Sequence, residues 1–82
     1  MRYTLTVHAR KRMEERNVSA ELLEEALDFP TTIGYDEKGQ IMVKKLYSKR
    51  GKKRLLIIVG QFNEEVLRIV TLIDTSKVKK YL

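Results

Sequence analysis

Lys53-Arg54-Leu55-Leu56-Ile57-Ile58-Val59-Gly60-Gln61-Phe62, followed after Asn63-Glu64-Glu65 by Val66-Leu67-Arg68-Ile69-Val70-Thr71-Leu72-Ile73-Asp74, decides the fold. Both runs are rich in β-branched residues, and turn residues separate them, so they read as two neighbouring strands. An antiparallel strand with one wet face alternates apolar and polar residues. These two do not, because Leu55 to Val59 is apolar on both faces. The run is far below the roughly 20 residues of a membrane span. Something must therefore cover the second face of these strands: the C-terminal segment, a second copy or another protein.

Reading outward, Gly51 marks a turn, and Gln40 to Ser48 alternates as a further strand. Asp36-Glu37-Lys38-Gly39 is a turn in which glycine supplies positive φ. Thr31 to Asp36 precedes it as another strand. Before Pro30 the period changes from 2 to 3.6. Leu22, Leu23, Ala26 and Leu27 form one face of a helix from Ala20 to about Asp28, capped by Ser19. Leu5, Ala9 and Met13 form a narrow stripe on a helix from Leu5 to Arg16. Thr4 or Thr6 would cap that helix, and Asn17 suits the left-handed position that ends it. Thr75 to Leu82 is too short to assign. The sequence thus predicts one α+β domain over residues 1–82. Two N-terminal helices pack on one face of a roughly four-stranded antiparallel meander.

The 82 residues carry 17 Lys+Arg against 11 Asp+Glu, a net of +6. With 43% hydrophobic residues the chain is too apolar for a disordered tail. It has no cysteine, which excludes a disulfide framework, a thiolate metal site and a cysteine nucleophile. No long apolar stretch opens the chain, so a cytoplasmic protein without a membrane anchor is expected. Lys and Glu are plentiful while Asn and Gln total four, a balance that leans toward a thermophilic source.

The charge is unevenly placed. Residues 1–30 sum to −1 and residues 31–82 to +7. Lys38 to Arg54 holds eight basic residues and no acid. Such a segment attracts polyanions, although lysines at hairpin tips also serve simply to keep sheets from aggregating. The expected nucleic-acid contacts are Lys44, Lys45, Lys49, Arg50, Lys52, Lys53, Arg54 and Arg68. His8, Arg12 and Arg16 recur every four residues and form one ridge of the first helix. On a helical wheel Arg16 falls between Leu5 and Ala9, so it points partly inward, where it would pair with Glu24 or Glu25. His8, the single histidine, is the one side chain whose ordinary pKa suits proton transfer near neutrality.

His8-Ala9-Arg10-Lys11-Arg12-Met13-Glu14-Glu15-Arg16-Asn17-Val18-Ser19 resembles the opening of the domain of unknown function 4258 family. At the level of fold that family resembles the RelE/ParE-like small toxins. The resemblance implies metal-independent RNA cleavage without a cofactor. It also implies RNA or the ribosome as target and an antitoxin protein as partner. By the same resemblance His8 would be the acid or base, with Arg12 and Arg16 stabilising phosphate charge. Tyr47 and Tyr81 could stack on a base or carry protons. The alternative is a non-catalytic nucleic-acid-binding or protein-interaction module that forms a homodimer through its sheet. Thr71 interrupts an apolar strand and is a further candidate to face a cleft.

Overall fold

A computed structural model describes all residues, 1–82. The elements run β1 (Tyr3–Leu5), α1 (Val7–Glu15), α2 (Ala20–Asp28), β2 (Thr32–Tyr35), β3 (Ile41–Lys49), β4 (Lys52–Asn63), β5 (Val66–Thr75) and α3 (Val78–Tyr81). The sheet order is β1-β5-β4-β3-β2. The meander from β2 to β5 is antiparallel throughout, as the alternation predicts. The expected four-stranded antiparallel sheet is nevertheless incomplete. β1 adds a fifth strand, parallel to β5, and makes the sheet mixed. Leu5 belongs to β1 and not to the first helix, because three residues are too few to display a period of 2. Backbone bonds from Leu67 to Arg2 and from Thr6 to Ile69 fix β1 in place.

Thr6, one of the two expected caps, starts α1. Its hydroxyl accepts from the Ala9 amide at 3.1 Å and donates to the Val70 carbonyl, also at 3.1 Å. One side chain thus caps the helix and ties it to β5. Asn17 ends the helix at φ 53°. The Val18 amide bonds the Met13 carbonyl and the Asn17 amide bonds that of Glu14, which is a Schellman closure. Ser19 caps α2 by accepting from Leu22.

Two apolar clusters lie on the two faces of the sheet. The larger joins Ala9, Leu23, Ala26 and Leu27 of the helices to Val43, Leu56, Ile58, Leu67, Ile69 and Leu72. The smaller holds Leu55, Ile57 and Val59, with Met42, Leu46, Val70 and Val78 packed on it. The C-terminal segment, as α3, is therefore what lies on the second face. The register shifts between Val59 and Gly60. A bulge there explains why Ile69 and Leu72, three residues apart, both face the helices. Gly60 is required at this point, since a Cβ would stand 2.6 Å from the Arg68 carbonyl oxygen. No helix is long and apolar enough to cross a membrane.

Candidate functional site

The β3–β4 hairpin projects beyond the end of β5, whose last partner on β4 is Leu55. Its tip is Arg50-Gly51, both at positive φ, 53° and 77°. That matches the I′ turn favoured between two twisted strands, in which Asn or Gly normally fills the first position. Arginine there adopts a conformation that ordinary side chains avoid. Lys49 lies directly across from Lys52, and like charges so placed are destabilising. Local preference and local electrostatics both argue against this tip, which marks a demand other than stability.

Behind the tip the hairpin and the end of α1 enclose an open groove. Its lining includes Arg16, Lys49, Arg50, Lys52 and Arg54, with Glu15 and Asp74 as the acids and no hydrophobic residue. Arg16 is exposed, contrary to the inward direction expected for it, and makes no ion pair with Glu24 or Glu25. The helical wheel does not extend to it, because α1 closes at Glu15 and Arg16 is the C-cap.

The floor of the groove is a polar constellation that the sequence reading missed. Asp74 is buried. Its carboxylate accepts from the Tyr47 hydroxyl at 2.6 Å and from Arg54 Nε at 3.2 Å. Tyr47 and Arg54 face each other across β3 and β4, and Asp74 comes from β5. Burial, then the bond to Asp74 and its charge, push the Tyr47 hydroxyl from 10 up to about 12, against an opposing effect of Arg54. Burial of Arg54 works against its charge, but Asp74 prevails and its guanidinium holds the proton more tightly than usual. The only sequence signal for this trio was an acid at the end of an apolar strand.

Because the folded-state value of Tyr47 is raised, its neutral form is the stabilised one. That contribution is complete below about pH 10, the unfolded value, and is lost as pH rises from 10 toward 12. The expected result is that wild type loses stability relative to Tyr47→Phe across that window. Thermal melts of the two proteins between pH 9 and 12 would read it; parallel curves would contradict the raised value.

The other cations disperse. Lys45 Nζ bonds the Phe29 carbonyl at 2.8 Å and Lys44 Nζ bonds that of Tyr81. Each satisfies a helix C-terminus, α2 on one face and α3 on the other. Lys53 lies on the α3 side, beside Lys77, Lys79 and Lys80. Arg68 pairs with Gln61, nine residues along β4 from Lys52, or about 30 Å at ~3.3 Å per residue. Tyr81 stands under Lys80, whose Nζ is 5.3 Å from the ring.

His8 lies outside the groove. Its Nε2 is 3.1 Å from Thr71 Oγ1, so Thr71 does turn toward the helix. The bulge beside it re-aims that hydroxyl to the sheet edge. Eight residues separate His8 from Arg16, about 12 Å along the helix axis. Between them, Arg12 Nε is buried with no hydrogen-bond partner. No three His, Asp or Glu side chains gather where they would ligate a metal ion.

An α+β fold of helices on a mixed sheet, with a cationic groove at one end, is the class that these features define. Residues 5–81 match the family described as domain of unknown function (DUF4258), and the chain belongs to it. No curated protein and no solved structure matches the chain.

Proposed function

We propose that this protein binds the phosphate backbone of RNA in the groove between the end of α1 and the β3–β4 hairpin. The observation that carries this reading is the groove's lining: five cations around one opening, no apolar wall, and two acids. Asp74 is already committed to Tyr47 and Arg54, so it orients a cation toward the groove instead of neutralising the whole. Arginine and lysine so placed meet phosphate oxygens by charge-assisted bonds and displace counterions. The choice of RNA rests on the resemblance of the family to small ribonuclease toxins. In the toxin-like form of this reading the RNA is ribosomal and an acidic antitoxin covers the groove. Fluorescence anisotropy of a labelled RNA oligonucleotide across a salt series tests the binding. Steep weakening with salt supports it, and no binding at low salt contradicts it.

A second reading, RNA cleavage, is favoured by Arg12, which stands one helical turn from His8 and makes no ion pair. With Nε2 held by Thr71, His8 Nδ1 would take the 2′-hydroxyl proton as the 2′-oxygen bonds to phosphorus. The bond from phosphorus to the 5′-oxygen breaks, and that leaving oxygen takes a proton from solvent water. Arg12 would stabilise the added phosphate charge. Thr71 would hold the imidazole in place, and the site would be offset from the main binding groove. The expected result is cleavage by wild type, alone or with ribosomes, that His8→Ala abolishes while RNA binding persists. Intact RNA after incubation with wild type would overturn cleavage and leave the binding reading standing.

A further inference from the structure

We propose that β2 pairs antiparallel with β2 of a second copy, giving a two-fold dimer with one continuous sheet across both subunits. The sheet has two outer strands, β1 and β2. β1 is only three residues long and follows charged Arg2, and short edges resist pairing. β2 is one residue longer, and its uncharged stretch extends back through Thr31. Residues 31–35 carry no charge, and all four residues of β2 are exposed.

The backbone is laid out for pairing. The Asp36 amide bonds the Gln40 carbonyl, and antiparallel partners alternate in bonding direction. Gly34 therefore bonds toward β3, while Ile33 and Tyr35 present their amide and carbonyl groups outward. The side chains of Ile33 and Tyr35 stand opposite Val43 and Ile41, on the face that α1 and α2 cover. They are 56% and 74% exposed, and Phe29, the C-cap of α2, is 71% exposed. Apolar side chains this open on an unguarded edge are unusual enough to mark an interface.

A second copy is the occupant because the edge is complementary to itself. With Gly34 on the two-fold axis, Ile33 of each copy lies opposite Tyr35 of the other, an aromatic–aliphatic cross-strand pair. No Cβ projects at the axis, and the space around Gly34 is open. In the same register Thr32 falls opposite Asp36 of the other copy. Lys44 stands next in that row, paired with Thr32. Asp36 of one subunit thus lies in the same cross-strand row as Lys44 of the other, and the reverse holds by symmetry. β2 pairs with Thr32-facing Lys44 through Ile41, at the end of β3 remote from the hairpin tip, so both grooves stay open. A four-residue edge buries less than a standard interface, so the dimer is concentration-dependent.

Sedimentation equilibrium of the full chain tests this, with amide exchange as a second readout. Wild type is expected to approach twice its 9.6 kDa mass as concentration rises. The amides at positions 33 and 35 should become protected together with that rise. Ile33→Lys combined with Tyr35→Lys should stay at one chain mass with an unchanged circular dichroism spectrum. In that variant the Gly34 amide should remain protected, which confirms that β2 still pairs with β3. A wild-type monomer at the highest soluble concentration, or a dimer unaffected by the two substitutions, would overturn the proposal. Should the variant fail to fold, protection of the 33 and 35 amides in concentrated against dilute wild type decides the matter: equal exchange overturns it.

Discussion

Replacing Arg16, Lys49 and Lys52 by Gln and Arg50 by Asn is expected to weaken RNA binding about 100-fold or more at moderate salt. The same variant is expected to melt no lower than wild type. The binding loss follows from counterion release, in which each phosphate contact to a single strand contributes ~0.7 to the salt slope. Losing four contacts lowers that slope by about 3. The stability gain has two local sources. Asn suits the positive φ of position 50 where arginine does not, and removing charge from Lys49 and Lys52 relieves the like-charge pair across the hairpin. Opposite signs for binding and stability distinguish a functional hairpin from a merely soluble one. Anisotropy titrations and thermal melts of the two proteins read both. Unchanged affinity would remove the groove from the account.

Asp74→Ala is expected to cost about 3 kcal/mol of stability. Breaking a buried pair by removing one partner usually costs somewhat more, but the Arg54 side chain is 29% exposed and regains part of its hydration. The Tyr47 hydroxyl loses its acceptor as well, and an unsatisfied buried donor costs about 1–3 kcal/mol. For a domain of this size the total of about 3 kcal/mol corresponds to a fall in Tm of roughly 12–24 °C. Glu15→Ala is the control, because Glu15 lines the same groove, is exposed and makes no ion pair. It should shift Tm little and should tighten RNA binding slightly by removing a like-charged group. Equal melting of the Asp74 variant and wild type would mean that the Tyr47–Asp74–Arg54 trio contributes nothing to the fold.

The meander was legible because its signals are local. Gly39 and Gly51 sit at positive φ where turns were read. Leu55 to Val59 are buried on both faces as their unbroken apolarity requires. Caps were legible for the same reason, since Thr6, Ser19 and Asn17 act within a few residues of themselves. β1 was not legible, because its identity depends on β5, more than 60 residues away. Leu5 and Arg16 both lie outside α1, so a helical wheel drawn through them assigns Arg16 an inward direction that the helix does not impose.

The candidate site divides along the same line. The hairpin cations Lys49, Arg50, Lys52 and Arg54 are close in sequence and stay together in space, while Lys53 falls on the α3 side. Lys44 and Lys45 are contiguous too, but successive strand residues point to opposite faces, and each is taken by a different helix end. Asp74 escaped notice because a lone acid at a strand end has no meaning until Tyr47 and Arg54 are brought to it from two other strands. His8 and Arg16 stand at opposite ends of α1, farther apart than one phosphate spans, and only Arg16 reaches the groove.

The central claim is that the groove holds an RNA backbone, and the salt dependence of RNA affinity tests it most directly. Four or five phosphate contacts predict that log K for a single-stranded RNA falls with log salt at a slope of about −3. The Gln and Asn variant, which keeps only Arg54, should fall to a slope no steeper than about −0.7. An affinity for RNA that does not change with salt, or a slope that is the same in both proteins, would contradict it.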